Sequence, residues 1–282
     1  MKKVIFVADF FVEDTMGGAE LHDDVVLNHF KSIGILDSKI KCQDISKEFI
    51  IENKDKVFFI GNFVTLNNYY KALLAKNCEY ILYEHDYKFL KNRNPIFFKD
   101  FIAPKKLLTN FNFYNSAKKV VCLSNFHRDI FEKNMEFSNI ENIHCSMWTD
   151  ENLDYFSKIN KQPKNGKYAI INSPNPIKKT RETVAFCEKA GLNYDLIKGN
   201  DYKEFMKTLA NYDALVFYTG HPEPTPRVAI EAKMLNCKFI SDKNFIGVAH
   251  EDYFNLKGDE MIEEVRSLRD KALKLLVDII KS

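Results

Sequence analysis

Apolar and polar residues alternate along the chain in blocks that predict strands and helices in turn. Residues 3–9 (KVIFVAD) form a short apolar run typical of a buried strand, and a polar loop with Gly17 and Gly18 follows it. Helical spacing then links Leu21, Val25, Val26, Phe30 and Ile33. Gly34 is suited to end that helix, because a left-handed backbone conformation costs glycine little. Strand, glycine loop and helix in this order are typical of the start of an α/β fold.

The same alternation continues through both halves of the chain. Apolar runs predict further buried strands at 57–63, 80–87 and 119–124 in the first half and at 168–173, 194–199 and 213–220 in the second. Helical or polar segments separate these runs. The pattern therefore predicts parallel sheets covered by helices on both faces.

A polar stretch at 154–167, which contains Pro163 and Gly166, predicts a linker between the two halves. We therefore predict two Rossmann-like, doubly wound domains, residues 1–155 and 156–282, with an interdomain cleft. An amphipathic helix at the carboxyl end is expected to close the second domain. Sheets of this kind bind ligands at loops that follow the carboxyl ends of their strands.

Charge and cysteine content limit the binding partners and the cellular compartment that we expect. The 41 basic and 39 acidic side chains give a net charge of +2, so the overall charge favours neither nucleic acid nor membrane as a partner. The six cysteines are scattered singly without a CxxC pair, which predicts reduced thiols rather than disulfides or a zinc site. No apolar run approaches the roughly 20 residues of a membrane span, and the amino-terminal residues do not resemble a signal peptide. We expect a soluble, cytoplasmic protein.

One short stretch, EPTPRVAIE from Glu223 to Glu231, combines two prolines with two glutamates eight positions apart. Because the prolines disfavour helix before Thr225, we predict Thr225 as the N-cap and Pro226 as the first residue of a helix of about ten residues. Glu223 then lies in the loop after a strand, and Glu231 lies within the helix. The helix start and the Arg227 guanidinium together form a predicted phosphate site.

Two carboxylates beside a phosphate site suit a ligand that carries both hydroxyl groups and phosphates. Each carboxylate can accept hydrogen bonds from paired hydroxyls, such as those of a sugar or a ribose. A nucleotide sugar has both features, which makes it the predicted ligand.

Residues 213–240, DALVFYTGHPEPTPRVAIEAKMLNCKFI, resemble the E-x7-E region of retaining glycosyltransferases of family 4, which have the GT-B fold. Residues 16–20 (MGGAE) are similar to the glycine loop of that family, and His85 in YEHDY matches its histidine after a central strand. Residues 120–131 (VVCLSNFHRDIF) are similar to its strand, serine and helix segment. The resemblance extends over nearly the whole chain and implies glycosyl transfer from a nucleotide sugar.

The resemblance implies roles around the glutamate pair. Glu223 would hold hydroxyl groups of the donor sugar, and Glu231 would hold the ribose of the nucleotide. The backbone between them would bind the diphosphate, with Thr225 and Arg227 as further donor-binding residues.

The resemblance also implies roles for residues elsewhere in the chain. Lys178 and Lys179 match the lysine that neutralises the leaving diphosphate, and Gly17 and Gly18 would let the first loop approach the donor phosphate. His85 would position the donor sugar or share the charge that develops in the transition state. The residues expected in catalysis are His85, Glu223 and Lys178.

Three departures from the family pattern leave alternatives open. Residues 172–174 (NSP) replace a Gly-Arg pair, so that the second diphosphate cation is either missing or supplied by Arg181 or Arg227. Pro226 removes one backbone donor, and residues 145–154 (CSMWTDENLD) replace an Asn-Gly-Val-Asp segment. A nucleotide-sugar-binding protein with little catalysis and an epimerase of the same fold are therefore the alternatives to a transferase.

The expected reaction moves a sugar from a UDP- or GDP-linked donor to an acceptor hydroxyl with retention of configuration, without a metal or another cofactor. His22, Asp23 and Asp24 are metal-ligand types, but on the first helix we predict that they form a solvated face.

Residues 88–108, in the acceptor half, mix Lys and Arg with Phe. One interpretation is a solvated loop with core aromatic residues. The other is a surface for a polyanionic acceptor such as DNA, or for a glycan or lipid-linked acceptor with peripheral membrane contact. No stable protein partner is predicted.

Overall fold

The structure, a computed structural model, describes residues 2–136, 138–199 and 201–282. The chain divides into two compact units, the first formed by residues through Met147 together with Leu268–Ser282 and the second by Trp148–Ser267. Each unit contains its own parallel sheet, which confirms the predicted α/β class.

The first unit is built on six parallel strands in the order β2-β1-β3-β4-β5-β6. Their bounds are β1 (Val4–Ala8), β2 (Leu36–Lys41), β3 (Val57–Ile60), β4 (Glu79–Tyr83), β5 (Lys119–Cys122) and β6 (Ile140–Asn142). Strands β1 and β3 are buried along their whole length. This burial on both faces explains why the two strands are continuous apolar runs rather than alternating ones.

In the part of the chain that the structure describes, five α-helices lie wholly within the first unit. They are α1 (Gly18–Ser32), α2 (Lys47–Glu52), α3 (Asn68–Asn77), α4 (Phe111–Asn115) and α5 (Asn125–Asn134). Helix α1 ends before Gly34, which has a φ of 73°, as the sequence predicts. Ser124 caps α5 by accepting a hydrogen bond from the His127 amide at 3.2 Å, so the strand, serine and helix segment is confirmed.

The second unit has a four-stranded parallel sheet in the order β10-β9-β7-β8. The strands are β7 (Tyr168–Ile171), β8 (Tyr194–Ile197), β9 (Ala214–Val216) and β10 (Lys238–Ile240). The helices are α6 (Asp150–Ile159), α7 (Thr180–Lys189), α8 (Tyr202–Leu209) and α9 (Arg227–Met234), and the long α10 (Gly258–Lys281) follows them.

The predicted linker at 154–167 is wrong in its first part, because α6 continues to Ile159. Thr149 caps this helix by accepting a hydrogen bond from the Asn152 amide, and Leu153, Phe156 and Ile159 are buried. These buried positions recur every three residues, but the polar residues between them obscure the pattern.

The carboxyl-terminal helix also differs from its predicted place. Its last part, from Leu268, belongs to the first unit, where Ala272, Leu276 and Ile280 pack with Val4 in one apolar cluster. The units divide between residues 147 and 148, eight residues before the predicted boundary at 155.

All six cysteines are free thiols. Among the described residues, no group of three or more His, Cys, Asp and Glu side chains is arranged to hold a metal ion. Within the same residues, every helix is too short or too polar to cross a membrane.

Candidate functional site

The candidate site in the second unit lies around the start of α9. Pro226 is the cap residue, with a φ of −61° and an extended ψ of 114°, and its own side chain makes no capping hydrogen bond. The predicted N-cap at Thr225 is therefore wrong by one residue. Proline's φ is compatible with the first helical position and with a cap, and the extended ψ of Pro226 decides between them. The first turn, whose N–H groups lack partners within the helix, thus begins at Arg227.

Glu223 is fixed in the loop between β9 and α9 by its backbone. Its amide donates to the Phe245 carbonyl at 2.8 Å, and its own carbonyl accepts from the Gly247 amide at 2.8 Å. This parallel bridge holds the carboxylate, whose side chain is 20% exposed, beside the start of α9.

Lys178 lies in contact with Glu223, although 45 positions separate them in the sequence. Its Nζ donates to Glu223 Oε1 at 3.0 Å and lies 5.2 Å from the centre of the Phe217 ring. The structure thus brings together two of the three residues that the resemblance assigns to catalysis. Lys178 is 34% exposed, so its ammonium is open to a ligand as well as to Glu223.

Lys179 points elsewhere than Lys178. It has a left-handed backbone (φ 44°, ψ 41°) at the start of α7, and its Nζ lies 3.9 Å from Glu182. Its side chain also lies against Gly220, where a Cβ on that glycine would be 3.1 Å from the Cε of Lys179. Of the two predicted diphosphate lysines, only Lys178 contacts Glu223.

Glu231 is buried rather than solvated, with 2% of its surface exposed. Its Oε1 accepts hydrogen bonds from Trp148 Nε1 at 2.9 Å and from the Tyr202 hydroxyl at 2.5 Å. The Nε of Arg227 lies 3.6 Å from the same oxygen. The carboxylate is therefore held in one orientation by three side chains.

The guanidinium of Arg227 completes this cluster. It stacks on the Trp148 ring, 4.4 Å from the ring centre, and donates through Nη2 to the Tyr202 hydroxyl at 3.3 Å. Burial, together with the nearby charge of Glu231, raises the pKa of Tyr202, which therefore stays protonated. Arg227 was predicted at the phosphate site; the structure places its charge against Glu231.

Sequence reasoning missed Trp148 and Tyr202. Trp148 is the only tryptophan of the chain and lies in the segment that departs from the family pattern, which is the one available signal. Tyr202 is the first residue of α8, and nothing in its sequence context distinguishes it.

The loop at 172–174, which replaces the Gly-Arg pair, is closed by Thr180. The Thr180 hydroxyl lies 2.9 Å from the Ile171 carbonyl and accepts from the Ser173 amide at 3.3 Å. Arg181, one of the two alternatives for the missing cation, is exposed on α7.

In the first unit, Gly17 and Gly18 lie at the start of α1, whereas the sequence predicted both in the loop that precedes the helix. Gly17 is the cap residue and Gly18 the first helical residue. A Cβ on Gly17 would collide with the carboxylate of Glu20, which folds back over the loop. Because this carboxylate is the end of a flexible side chain that can move aside, the contact does not by itself require glycine at position 17.

His85 follows β4 and belongs to a buried polar group with residues of α1. Its Nε2 lies 2.7 Å from Asp23 Oδ1, and the two side chains are 7% and 3% exposed. His22 contacts the Tyr83 hydroxyl, and the rings of His22 and His85 meet edge to face at 5.3 Å.

The predicted solvated face is therefore wrong for His22 and Asp23. His22 is in phase with the buried Val26 and Phe30, a four-residue spacing that already indicates an inward position. Asp23 packs so closely on the end of β3 that a Cβ on Gly61 would lie 2.6 Å from its carboxylate.

Residues 88–108 match neither interpretation fully. Phe89 is buried, as expected of a core aromatic residue, whereas Phe97 is 71% exposed. Lys88 is buried and forms ion pairs with Glu84 at 2.8 Å and Asp86 at 2.9 Å, so the segment is not simply a solvated loop.

Neither a protein-family model nor a curated protein sequence matches the chain. Solved glycosyltransferase structures do. Alr3699/HepE from Anabaena, in complex with UDP and glucose, has a TM-score of 0.60 at 13% identity, over 99% of this chain and 100% of that one. A glycosyltransferase from Rickettsia africae has 0.56 at 15%, over 99% and 98%. AviGT4, a glycosyltransferase of avilamycin A biosynthesis, has 0.56 at 12%, over 100% and 97%. These similarities confirm the GT-B fold.

Proposed function

We propose that the protein is a glycosyltransferase that moves a sugar from a nucleoside diphosphate donor, UDP- or GDP-linked, to an acceptor hydroxyl. The observation that carries this proposal is the contact between Lys178 and Glu223 beside the start of α9. A cation, a carboxylate and a helix start within one loop cluster provide partners for a diphosphate and for sugar hydroxyls.

The complexes of the Anabaena protein support the choice of donor. That protein was crystallised with UDP and glucose and with UDP-glucose. We propose by analogy that Glu223 holds hydroxyls of the donor sugar and that Glu231 holds the ribose. The rigid hold of Trp148 and Tyr202 on Glu231 Oε1 fits this role, because a carboxylate that is already oriented loses less freedom when it binds.

The resemblance to retaining glycosyltransferases of family 4 suggests how the reaction proceeds. The leaving diphosphate accepts the proton of the acceptor hydroxyl on the face from which it departs, and configuration is retained. Lys178 and the α9 start stabilise the negative charge that develops on the diphosphate. No protein nucleophile and no metal ion are required.

Nucleotide release tests this function. The protein is incubated with UDP- and GDP-sugars, with and without a mixture of acceptor sugars, and free UDP or GDP is measured. We expect release from donors of one base, at the same rate when EDTA is present. Loss of the activity in EDTA would contradict the metal-independent mechanism.

A nucleotide-sugar-binding protein with little catalysis is the second candidate. The loop at 172–174 favours this candidate. Thr180 forms hydrogen bonds with the backbone of this loop, but the loop has no cation in place of the usual Gly-Arg pair. Nucleotide binding without release from any donor would support this candidate over the transferase. Conversion of the donor sugar to its epimer would identify the third alternative.

His85 is expected to support turnover rather than nucleotide binding. Replacing His85 with Gln should lower the rate of nucleotide release about 10²-fold, the effect of removing one group that stabilises developing charge. Asp23→Asn should lower it less, because it disturbs only the orientation of His85. Nucleotide affinity, measured by titration calorimetry, should stay unchanged in both variants. A loss of affinity with full turnover would refute this assignment.

A further inference from the structure

A cationic pocket lies within the first unit, where the chain leaves the carboxyl ends of β3 and β4. Its volume is about 240 Å³, the space of roughly eight water molecules. Four cationic side chains and two amides contribute to its lining, together with apolar groups, and no Asp or Glu does. The polar lining residues in the argument below are Lys71, Lys88, Lys91, Arg93, Asn68 and Asn110.

Lys71 is the most informative of these residues. It is buried, with 9% of its surface exposed, and its Nζ donates to Asn110 Oδ1 at 3.1 Å. Among the described residues, no carboxylate lies within ion-pair distance of its ammonium. Burial lowers the pKa of Lys71. A buried ammonium is normally paired, so this one has a place for an anion.

The three other cationic side chains of the pocket outnumber the carboxylates that form ion pairs with them. Asp86 is shared by Lys88 and Arg93, at 2.9 and 3.0 Å, and Glu84 also pairs with Lys88. Lys91 is exposed and has no carboxylate within ion-pair distance in the described part of the chain. Within the described ranges, the four cations of the pocket thus pair with two carboxylates, neither of which lines it.

Asp9 is the further acid within electrostatic reach of Lys71. Its carboxylate accepts hydrogen bonds from the amides of Val64 and Thr65 and from the Thr65 hydroxyl, at 2.6 to 2.9 Å. Even when Asp9 is counted, the pocket keeps an excess of positive charge. Its electrostatics therefore favour an anionic ligand.

The two buried ammonium groups are held in place before any ligand binds. Asn110 accepts from Lys71 and donates through Nδ2 to the Lys88 carbonyl at 2.8 Å, and Lys88 Nζ donates to Asn62 Oδ1 at 3.1 Å. Both ammonium groups lie 5.2 Å from the centre of the Phe63 ring. Lys88 already faces two carboxylates and Asn62 and therefore contributes charge, whereas Lys71 can donate to an anion with less loss of side-chain freedom than a mobile surface lysine.

We propose that this pocket binds a phosphate group, either inorganic phosphate or the terminal phosphate of a small organic monoester. The excess of positive charge favours an anion, and the phosphate oxygens accept from several donors at once. Asn68, at the start of the ten-residue α3, adds the positive end of a helix to the pocket. The pocket shares no residue with the proposed donor site, and this proposal does not depend on that one.

Titration calorimetry of the full chain tests the site with inorganic phosphate, glycerol 3-phosphate and glycerol. Both phosphates should bind and glycerol should not. Tighter binding of glycerol 3-phosphate identifies an organic monoester as the ligand, whereas equal affinity identifies inorganic phosphate; either result supports the proposal. Binding to phosphatidylglycerol vesicles without binding to either phosphate would overturn it, as would no heat from either phosphate at millimolar concentration.

Variants locate the binding. Lys71→Met keeps the length of the side chain and removes its charge, and Lys91→Gln acts on an exposed residue whose loss should leave the fold intact. Each should weaken phosphate binding at least about ten-fold, the effect of losing one charged hydrogen-bond partner. Lys54→Gln, at an exposed turn of the same unit, is the matched control and should bind as the wild type does.

A donor-site variant separates the two proposals. Lys178→Gln should keep full phosphate affinity, because Lys178 belongs to the second unit. If Lys178→Gln loses phosphate binding while Lys71→Met and Lys91→Gln keep it, the phosphate binds at the donor site and the pocket proposal is wrong. Circular dichroism of each variant confirms that the fold is intact.

Discussion

Replacing Glu223 with Gln is expected to lower the rate of nucleotide release about 10²- to 10³-fold, with a much smaller change in nucleotide affinity. Gln preserves the size of the side chain and the backbone bridge to Phe245 and Gly247, so the loop should stay in place. The variant removes the negative charge that Lys178 contacts and that would hold the donor sugar. Glu223→Ala should have at least as large an effect.

The measurement is steady-state nucleotide release beside a binding titration with the free nucleotide. Glu182→Gln is the matched control. Glu182 is an exposed glutamate in the first turn of α7, where it lies near Lys179 rather than Lys178. It should behave as the wild type does. Full turnover in both Glu223 variants would remove Glu223 from the catalytic site.

Replacing Glu231 with Ala should have the largest effect on stability, about 3 to 5 kcal/mol in the free energy of unfolding. The substitution leaves the buried guanidinium of Arg227 without its carboxylate, and it removes the acceptor of Trp148 Nε1 and the Tyr202 hydroxyl. Each of these buried donors then lacks its carboxylate acceptor, which destabilises the folded state. Urea denaturation measures the change, followed by the fluorescence of Trp148.

Glu231→Gln distinguishes a binding role from a structural one. The amide oxygen of Gln can still accept from Trp148 and Tyr202, so this variant should lose less stability than Glu231→Ala and should fold. Nucleotide affinity should nevertheless fall about ten-fold or more, because a neutral amide accepts ribose hydrogen bonds more weakly than a carboxylate. Wild-type stability in Glu231→Ala would contradict the contacts of the cluster, and wild-type affinity in Glu231→Gln would contradict the ribose assignment.

The fold class could be predicted from the sequence because strand and helix signals are local. Buried strands such as β1 and β3 are continuous apolar runs, and Gly34 marks a helix end through its own backbone preference. The start of α9 was predicted to within one residue, since both prolines restrict the backbone directly. The ψ of Pro226 determines whether Pro226 is the cap or the first helical residue, and this angle depends on the surrounding structure.

Long-range contacts could not be predicted in this way. Trp148 and Tyr202 approach Glu231 across 83 and 29 positions, and no periodicity relates them. The resemblance assigned Lys178 and Glu223 to one donor, but the contact between them was not predicted. The burial of Asp23 on α1 was missed for a related reason, because its partner His85 lies 62 positions away. For His22, the four-residue spacing with Val26 and Phe30 was a local signal that the prediction overlooked.

The crystal structure of the protein with UDP or GDP tests the proposed donor site most directly. We expect the diphosphate within hydrogen-bond distance of Lys178 Nζ and of the backbone amides at the start of α9, with the ribose hydroxyls on the Glu231 carboxylate. A nucleotide bound elsewhere in the chain, with the Lys178 to Glu223 contact and the Glu231 cluster left untouched, would contradict the proposed site.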